Sequence, residues 1–359
     1  MELNVTLPPG KRSVSTRKTQ KGVSLVEIMI AVVIGLLLMA GVGQIYISSK
    51  QTYRLQDAQS RMQENARYAL ELLSNDIRIA GYSGCANLNS ITPNVIANSP
   101  IIALTATSAL SGYNAASGSS WDPALSSTLS GLSKPPLAGT DAITVQFSQG
   151  CGAHLKGNMS AVSDGIPIMA PNACSISAGN ALMVSDCTAA DVFRATSLSS
   201  SGSTQTIAHS NSDNTSINLS KTYQSDAEIF IFTSRTYYIA NGAGGQPALW
   251  RLDNNTATGG DNPVELVEGV ENMQILYGED TDNDRVPNRY FTVNSVGNLA
   301  NVVAVRLSLL IRALDDNLLQ LAQTYSYNGV TCPGSAGCPT DRRLRHVFTT
   351  TINLRNRSP

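Results

Sequence analysis

The stretch KGVSLVEIMIAVVIGLLLMAGVGQIYISSK, residues 21–50, decides the fold class of this chain. Within residues 23–47 the only charged side chain is that of Glu27. A helix of that length reaches about 37 Å, which is enough to cross the hydrocarbon core of a membrane. A carboxylate near the start of such a span costs a few kcal/mol unless a positive charge neutralises it. The sequence therefore predicts a membrane helix whose Glu27 requires a cationic partner.

The segments on either side of the span set its orientation and its length. The first 22 residues contain five Lys or Arg and one acid, so the positive-inside rule keeps them in the cytoplasm. After the span, apolar residues recur at three- and four-residue steps, and Gly81 supplies a stop. The members of this stripe are Leu55, Ala58, Met62, Ala66, Ala69, Leu73 and Ile77. We predict one helix over residues 23–80, with residues 23–47 in the membrane. A secretory signal peptide would instead have a shorter apolar core and a small-residue cleavage site.

Composition and cysteine placement indicate an exported globular domain. The hydrophobic fraction of 42% suits a buried core, and the formal net charge of −1 gives no overall field that favours nucleic acid. All six cysteines lie after the apolar run, which is typical of an oxidising compartment. They are Cys85, Cys151, Cys174, Cys187, Cys332 and Cys338. Fifteen pairings are open. The short CPGSAGC loop favours the pair Cys332–Cys338, and Cys174–Cys187 comes next.

Residues 81–359 have the pattern of a single β-rich domain. Runs such as AITVQF, EIFIFTSRTYYIA and VVAVRLSLLIRA are rich in β-branched and aromatic residues and are separated by turn-forming residues. Two Ser-, Ala-, Asn- and Gly-rich segments, residues 88–136 and the region near residue 200, are predicted to be surface loops. The long helix and the antiparallel sheet together make an α+β protein.

The start of the span resembles the type IV prepilin signature. A basic leader ends in Gly22, an apolar run starts at Val23, and Glu27 is the fifth residue after that junction. The resemblance implies that a prepilin peptidase and N-methyltransferase removes residues 1–22 and methylates Val23. It also implies that Glu27 binds the amine of a neighbouring subunit in a filament. Most members of the family begin the mature chain with Phe, and Val23 departs from that pattern. Gly35, Gly41 and Gly43 would let helices approach closely or simply be tolerated in the span.

Later segments resemble one type of pilin, the large minor pilins of the PilW type. The matching segments are DIRIAGYSGC, ELVEGVENMQILYGEDTDNDR, VVAVRLSLLIRA and DRRLRHVFTTTINLRNR. The resemblance implies a type IV pilin-like fold and a low-copy subunit that primes the pilus or forms its tip, supporting twitching motility and adhesion. The implied partners are other minor pilins, the major pilin and a large tip adhesin. The implied location is the bacterial inner membrane, with the domain in the periplasm, and then the pilus.

One acidic loop has the spacing of a metal site. In YGEDTDNDRVPNRY, Asp280, Asp282 and Asp284 alternate, which lets three carboxylates converge on Ca²⁺. Arg285 stands where an EF-hand loop has Gly, and Phe291 stands where it has the closing Glu. A Ca²⁺ site and a solvated acidic turn between two strands are both open, and no other cofactor is expected.

No catalytic pattern accompanies these features. His154, His209 and His346 are scattered without a Cys-x-x-Cys pair, and the sequence has no nucleophile elbow, phosphate loop or His-Glu-x-x-His motif. The basic cluster DRRLRHVF could contact DNA phosphates, but a solvated strand entry or salt bridges between subunits is the plainer interpretation. We therefore expect neither an enzyme nor a specific nucleic-acid partner.

Two alternatives share parts of this pattern. A J-like pseudopilin of a type II secretion system would have the same signature and the same long helix. A membrane-anchored exported enzyme or binding module would have the span with an unrelated outer domain, and it would keep its leader.

Overall fold

The computed structural model describes most of the chain. The described residues are 22–85, 88, 90–98, 103–115 and 119–356. The predicted leader, residues 1–22, therefore lies outside the described part except for Gly22. The chain divides into two compact units, residues 1–54 and 55–359, and each is described by itself.

The first unit contains the apolar part of helix α1 (Leu25–Arg78). This is a helix long and apolar enough to cross a membrane, and none of its most apolar window is buried. The helix begins at Leu25 and not at the predicted Val23, because Ser24 caps it. The backbone N–H of Glu27 donates to Ser24 Oγ at 3.2 Å and to the Ser24 carbonyl at 3.0 Å. A serine in this position satisfies amides that the first turn would otherwise leave unpaired.

Helix α1 ends inside the second unit, two residues before the predicted Ala80. The N–H of Ala80 already turns back to the carbonyl of Ile77 at 3.1 Å. Gly81 follows with φ of +79°, a conformation that favours glycine, and its N–H donates to Gln146 O at 2.8 Å. Gly81 thus stops the helix, as the sequence predicts, and it also ties the helix end to the sheet.

The second part of α1 buries one stripe against the sheet. The buried members are Ala58, Met62, Ala66, Ala69, Leu73, Asp76 and Ile77. All the predicted apolar positions are among them except Leu55, which is half-buried. Alanines in the middle of the stripe let strands approach the helix closely. The addition of Asp76 to this face is not foreseen by the apolar pattern.

The rest of the second unit is built mainly of strands. In chain order they are β1 (Asn94–Val95), β2 (Leu110–Ala115), β3 (Trp121–Asp122), β4 (Ala142–His154), β5 (Ile166–Met169), β6 (Ala181–Ser185), β7 (Ala190–Arg194), β8 (Ser197–Ser201), β9 (Thr204–Ala208), β10 (Glu228–Asn241), β11 (Pro247–Asp253), β12 (Val264–Glu268), β13 (Val270–Glu279), β14 (Arg289–Phe291), β15 (Val302–Arg312), β16 (Tyr325–Tyr327), β17 (Val330–Cys332) and β18 (Arg345–Asn353). The short helix α2 (Ser127–Ser130) and two 3₁₀ turns, Val293–Ser295 and Leu299–Asn301, complete the described elements.

These strands form two main sheets and two small ones. The larger main sheet has the order β1-β7-β6-β10-β4-β2-β3, with β11 beside β10 and β12 beside β11. The second main sheet has the order β14-β13-β15-β18. Strands β5, β9 and β8 form a small sheet, and β16 pairs with β17. Among the described strands only the β1–β7 pair is parallel, so the predicted α+β class with an antiparallel sheet is confirmed.

Two segments predicted to be loops contain strands. The Ser-rich segment near residue 200 forms the β8–β9 hairpin, which turns at Gly202 with φ of +56° and sets Leu198 opposite Ile207. The segment 88–136 contributes β2, which pairs with β4. The polar composition of these segments leads to the wrong prediction of loops. A few apolar residues are enough to hold a strand or a hairpin against a neighbouring strand.

Asp141, immediately before β4, connects the two main sheets. Its Oδ1 accepts from the N–H of Ala115 on β2 at 2.8 Å, and its Oδ2 accepts from the N–H of Ile275 on β13 at 2.9 Å. The residue is 2% exposed. Burial raises the pKa of Asp141 to about 6, against the opposing effect of the two amide bonds. One carboxyl group therefore joins the two sheets by hydrogen bonds, and burial of its charged form is unfavourable.

This cost predicts a specific pH dependence. Between about pH 4 and pH 6 the folded protein keeps a proton on Asp141 that the unfolded chain has lost, so the contribution of Asp141 to stability falls as pH rises. The raised pKa corresponds to about 2–3 kcal/mol. Denaturation of the Asp141→Asn variant and the wild type should show the variant gaining that amount, relative to wild type, from pH 4 to pH 7. The exposed-acid control Asp226→Asn should show no such gain, and a constant difference for Asp141→Asn would contradict the assignment.

Asp76 attaches α1 to β10 by a charged contact. Its Oδ2 accepts from Arg235 Nη1 at 2.9 Å and from the Tyr237 hydroxyl at 2.6 Å. Burial opposes the charge on Arg235, but the bond and charge of Asp76 outweigh burial and raise the pKa of that guanidinium. Burial and then Asp76 raise the pKa of Tyr237, which stays a donor at neutral pH.

Removal of Asp76 should weaken the fold far more than removal of an exposed acid on the same helix. Asp76→Ala leaves a half-buried guanidinium and a buried hydroxyl without their acceptor, which costs about 2–4 kcal/mol. Asp57→Ala breaks only the exposed pair with Arg61 (3.0 Å) and should cost under about 0.5 kcal/mol. Denaturant unfolding of both variants measures this difference, and equal losses would show that Asp76 has no anchoring role.

Candidate assembly site

The predicted processing junction lies just before α1. Gly22 and Val23 are both exposed, and among the described residues no atom beyond the chain neighbours lies within 4 Å of the position that a Cβ on Gly22 would occupy. Val23 precedes the Ser24 cap, so the structure does not place it on the helix turn that carries Glu27. The described side of the junction, residues 22–24, is thus exposed and non-helical.

Glu27 lies in the first turn of α1 and is exposed. A carboxylate in this position interacts favourably with the helix dipole, but the dipole alone does not neutralise a full charge in hydrocarbon. Among residues 22–54 the nearest Lys or Arg side chain is that of Lys50, about 35 Å along the helix. The described part of this unit therefore supplies no side-chain cation for Glu27.

The helix around Glu27 presents apolar side chains on all sides. Leu25 is 75% exposed, and large apolar residues as far as Ile47 are exposed by half or more. Gly35, Gly41 and Gly43 have no atom within 4 Å of a Cβ position, so they form open notches in this surface. Such a surface suits lipid or close packing against other helices.

Three disulfides stabilise the second unit. They are Cys85–Cys187, Cys151–Cys174 and Cys332–Cys338. The pair Cys332–Cys338 is the one that the sequence favours first. The predicted pair Cys174–Cys187 is wrong, because β6 lies between these residues in the chain and carries Cys187 to the β6–β7 turn, where it meets Cys85. Cys174 instead bonds Cys151 on β4.

The acidic loop between β13 and β14 brings its three carboxylates together. One oxygen from each of Asp280, Asp282 and Asp284 lies within 4.8 Å of the others. Among the residues that the structure describes, this is also the one group of His, Cys, Asp and Glu side chains close enough to hold a metal ion. The three histidines are not part of it.

Backbone amides already bind the innermost carboxylate of this loop. Asp280 Oδ1 accepts from the N–H groups of Asp282 (3.2 Å) and Asn283 (2.7 Å), and Oδ2 accepts from Arg285 N–H at 2.8 Å. Asn283 and Arg285 adopt positive φ, which turns the amides inward. Although burial opposes it, these bonds lower the pKa of Asp280. The amide bonds within the loop account for the buried carboxylate of Asp280. Calcium binding stays a prediction from the sequence.

The amide bonds of Asp280 predict how the loop responds to substitution. Asp280→Asn removes one acceptor oxygen and the charge, so the amides of Asn283 and Arg285 should exchange with solvent at least tenfold faster. Asp284→Asn, which affects a single bond to Val286 N–H (2.8 Å), should leave those two amides unchanged. Hydrogen exchange in a calcium-free buffer measures both, and unchanged exchange in Asp280→Asn would contradict this account of the loop.

The arginines of the basic cluster at the start of β18 bind acceptors within the same chain. Arg345 is 2% exposed and binds Glu271 at 2.7 Å and Asp341 at 2.6 Å. These bonds outweigh the opposing effect of burial and raise the pKa of Arg345. Arg343 donates to the carbonyls of residues 313 and 314, and Arg342 donates to Asn317 Oδ1. The expectation of a solvated run or of intersubunit salt bridges is thus wrong for Arg345.

Sequence reasoning missed three buried acids that organise the domain. Asp76 and Asp141 connect elements as described above, and Asp191 on β7 accepts from Asn94 Nδ2 (2.5 Å), the Ser220 N–H (2.9 Å) and the Tyr223 hydroxyl (2.5 Å). One signal was available for Asp76, since it lies three residues after Leu73 on the buried stripe. Asp141 precedes a strand of mainly apolar residues and Asp191 lies within one, which is weaker evidence.

Comparison with known proteins gives two family matches. Residues 236–356 match the model described as Type IV Pilus-assembly protein W, which covers the acidic loop and β18. Residues 17–43 match the model described as the prokaryotic N-terminal methylation motif, which covers Gly22, Val23 and Glu27.

Similarity outside these models is low. Among solved structures, a type IV-like pilin from Thermus thermophilus aligns with 13% identity and a TM-score of 0.35, over 83% of this chain and 98% of that one. No curated protein matches the chain significantly in sequence.

Proposed function

We propose that this chain enters a filament through the first turn of α1 and helps to start or cap the pilus. Its two family matches identify it as a PilW-family minor pilin of the type IV pilus. The methylation motif implies processing by a prepilin peptidase and assembly with other pilins. One matched model is described as a pilus-assembly protein and the other as a methylation motif, and neither is described as an enzyme.

Processing creates the cation that Glu27 needs. Cleavage between Gly22 and Val23 leaves an amine on Val23, and N-methylation keeps its positive charge. The amine is either that of the same chain or that of the next subunit, and the second arrangement requires helices stacked side by side. We propose the second arrangement. An unpaired charge in hydrocarbon is unfavourable, so pairing between subunits makes the assembled state more stable than the separate subunits.

The exposed apolar helix gives the protein two successive locations. Before assembly, α1 anchors the chain in the inner membrane, with the second unit in the periplasm, where its three disulfides form. After assembly, the same surface packs in the filament core, and we place the second unit at or near the pilus tip beside other minor pilins. Twitching motility, adhesion and contact with a large tip adhesin belong to this proposal.

The match over residues 236–356 favours a pilus over a secretion pseudopilus. A J-like pseudopilin would share the methylation motif, so that motif alone does not discriminate. Deletion of the gene distinguishes them: loss of twitching with normal exoprotein release supports the pilus role, and the opposite result supports the pseudopilus.

The observation that carries the proposal is Glu27 in an exposed apolar helix, where residues 22–54 supply no nearby side-chain cation. Glu27→Ala should leave the protein cleaved and membrane-inserted, but its amount in sheared pili should fall at least tenfold. Glu71→Ala, which removes an exposed acid further along α1, should enter pili normally. Mass spectrometry of the membrane and pilus fractions measures the amount and the first residue, with methyl-valine expected.

Normal incorporation of Glu27→Ala would disprove the role given to Glu27. A mature chain that retains residues 1–22 would disprove the pilin assignment as a whole, and it would support an anchored protein of another class.

A further inference from the structure

The outer edge of β18 carries a row of unpaired backbone groups. Strand β18 pairs with β15 on one side, and no other described strand pairs with it on the other. Leu354 N–H donates to the carbonyl of Val303 on β15 at 2.9 Å, so the backbone groups at even-numbered positions of this segment point toward β15. The odd-numbered positions therefore point outward, because successive residues of a strand alternate.

Arg345, the first odd-numbered position, shows what this edge can bind. The side-chain amide of Gln323 accepts from Arg345 N–H at 2.6 Å and donates to Arg345 O at 2.9 Å. That pair of hydrogen bonds is the pair a residue of a neighbouring strand would make. Val347, Thr349, Thr351 and Asn353 present the same two groups, and within the described residues no hydrogen bond reaches their outward N–H groups.

The edge also lacks the devices that usually block strand addition. Residues 346–353 contain no Lys, Arg, Asp, Glu, Pro or Gly and are rich in β-branched residues. Soluble domains commonly protect an edge of this length with a charge, a proline or a bulge. An edge of eight residues without these devices in a folded domain indicates a surface that is covered in the assembled state.

A partly apolar cavity adjoins the start of this edge, on the helix side of the sheet. It has a volume of about 170 Å³ and is lined by side chains of α1, β18 and the segment between β15 and β16. The apolar members are Leu55, Met62, Leu319, Leu344 and Phe348. An added strand would point alternate side chains toward this face, so one large apolar side chain could fill the cavity.

The other end of the edge is basic. Arg355 follows β18, and its N–H donates to Arg78 O at 3.0 Å, so the two residues are neighbours. Both side chains are exposed, and neither has an ion-pair partner among the described residues. The edge therefore combines a cavity for an apolar side chain with a positive end that suits an acidic one about 25 Å away.

We propose that the free edge of β18 binds an extended segment of another pilin subunit, which adds a strand to the sheet. The segment carries a large apolar residue for the cavity and an acidic residue near Arg355. The occupant is a pilin because the methylation motif implies assembly with other pilins, and the cavity and Arg355 define the side chains that its segment carries. The choice of a pilin as occupant rests on the proposed function, whereas the strand-binding property of the edge does not.

Hydrogen exchange tests the edge with residue resolution. The detergent-solubilised full chain is compared alone and after co-purification with the other pilins of the same pilus, co-expressed from defined genes. The amides of Val347, Thr349, Thr351 and Asn353 should exchange fast in the isolated chain and at least tenfold more slowly in the complex. The amides of residues 346, 348, 350 and 352 should be protected in both states. An unchanged pattern in the complex would overturn the proposal.

A variant pair tests whether the edge holds the complex together. Thr349→Pro removes an outward N–H but no backbone bond to β15, whereas Thr349→Val keeps the N–H. Both variants lose the hydrogen bond between the Thr349 hydroxyl and Ser308 Oγ (3.0 Å), so that loss cancels in the comparison. Recovery of the co-expressed pilins should fall at least tenfold with the proline and stay normal with the valine. Slow exchange at the β15-facing amides of the proline variant shows that it is folded. Normal recovery with the proline would contradict the proposal.

Photocrosslinking identifies the occupant. A benzophenone side chain at position 347, 349 or 351 should crosslink to successive alternate residues of one segment in another pilin. A crosslink to a second copy of this chain, or to an adhesin, would overturn the stated occupant. Glu27→Ala should retain the edge protection in the detergent complex while losing incorporation into pili, so failure of the assembly role and failure of the edge give different results.

Discussion

The buried stripe on the second part of α1 is the interaction on which the domain depends. Small residues at Ala58, Ala66 and Ala69 permit close approach, and Met62, Leu73 and Ile77 fill the space between helix and sheet. Each of these three larger side chains contributes about 1.5–3 kcal/mol on burial. The stripe brings together strands distant in the sequence, since the cluster around it includes residues of β4, β10, β13, β15 and β18.

Buried acids fix geometry that apolar packing alone leaves loose. Apolar contacts are nondirectional, so a helix could slide along a sheet with little change in buried area. Asp76 prevents this because its carboxylate accepts two bonds from β10 at defined positions. Asp141 acts similarly between sheets, and its raised pKa shows that the arrangement is held against an electrostatic cost. The domain thus uses directional bonds where hydrophobic contacts do not specify position.

The sequence predicts features that depend on local pattern or short loops. The α1 stripe, the stop at Gly81 and the Cys332–Cys338 pair are all of this kind. It fails where the outcome depends on the path of the chain in space: Cys174 and Cys187 are close in sequence, but β6 separates them. The prediction of a loop near residue 200 fails for a related reason. Leu198 and Ile207 lie in paired strands that the Ser-rich composition does not reveal. Arg345 looks like a surface cation until Glu271, distant in sequence, is placed beside it.

The assembly roles proposed for Glu27 and for the β18 edge rest on different physics. A charge pair in hydrocarbon is strong because an unpaired charge there has no water to solvate it, so Glu27 can supply affinity. Backbone groups on the β18 edge are hydrated before binding, so each new bond contributes only about 0.5–1.5 kcal/mol. A row of such bonds is nevertheless demanding in geometry, because donors and acceptors must alternate at strand spacing. In the assembly proposed above, the apolar helix is therefore suited to hold any pilin, whereas the edge is suited to distinguish one pilin from another.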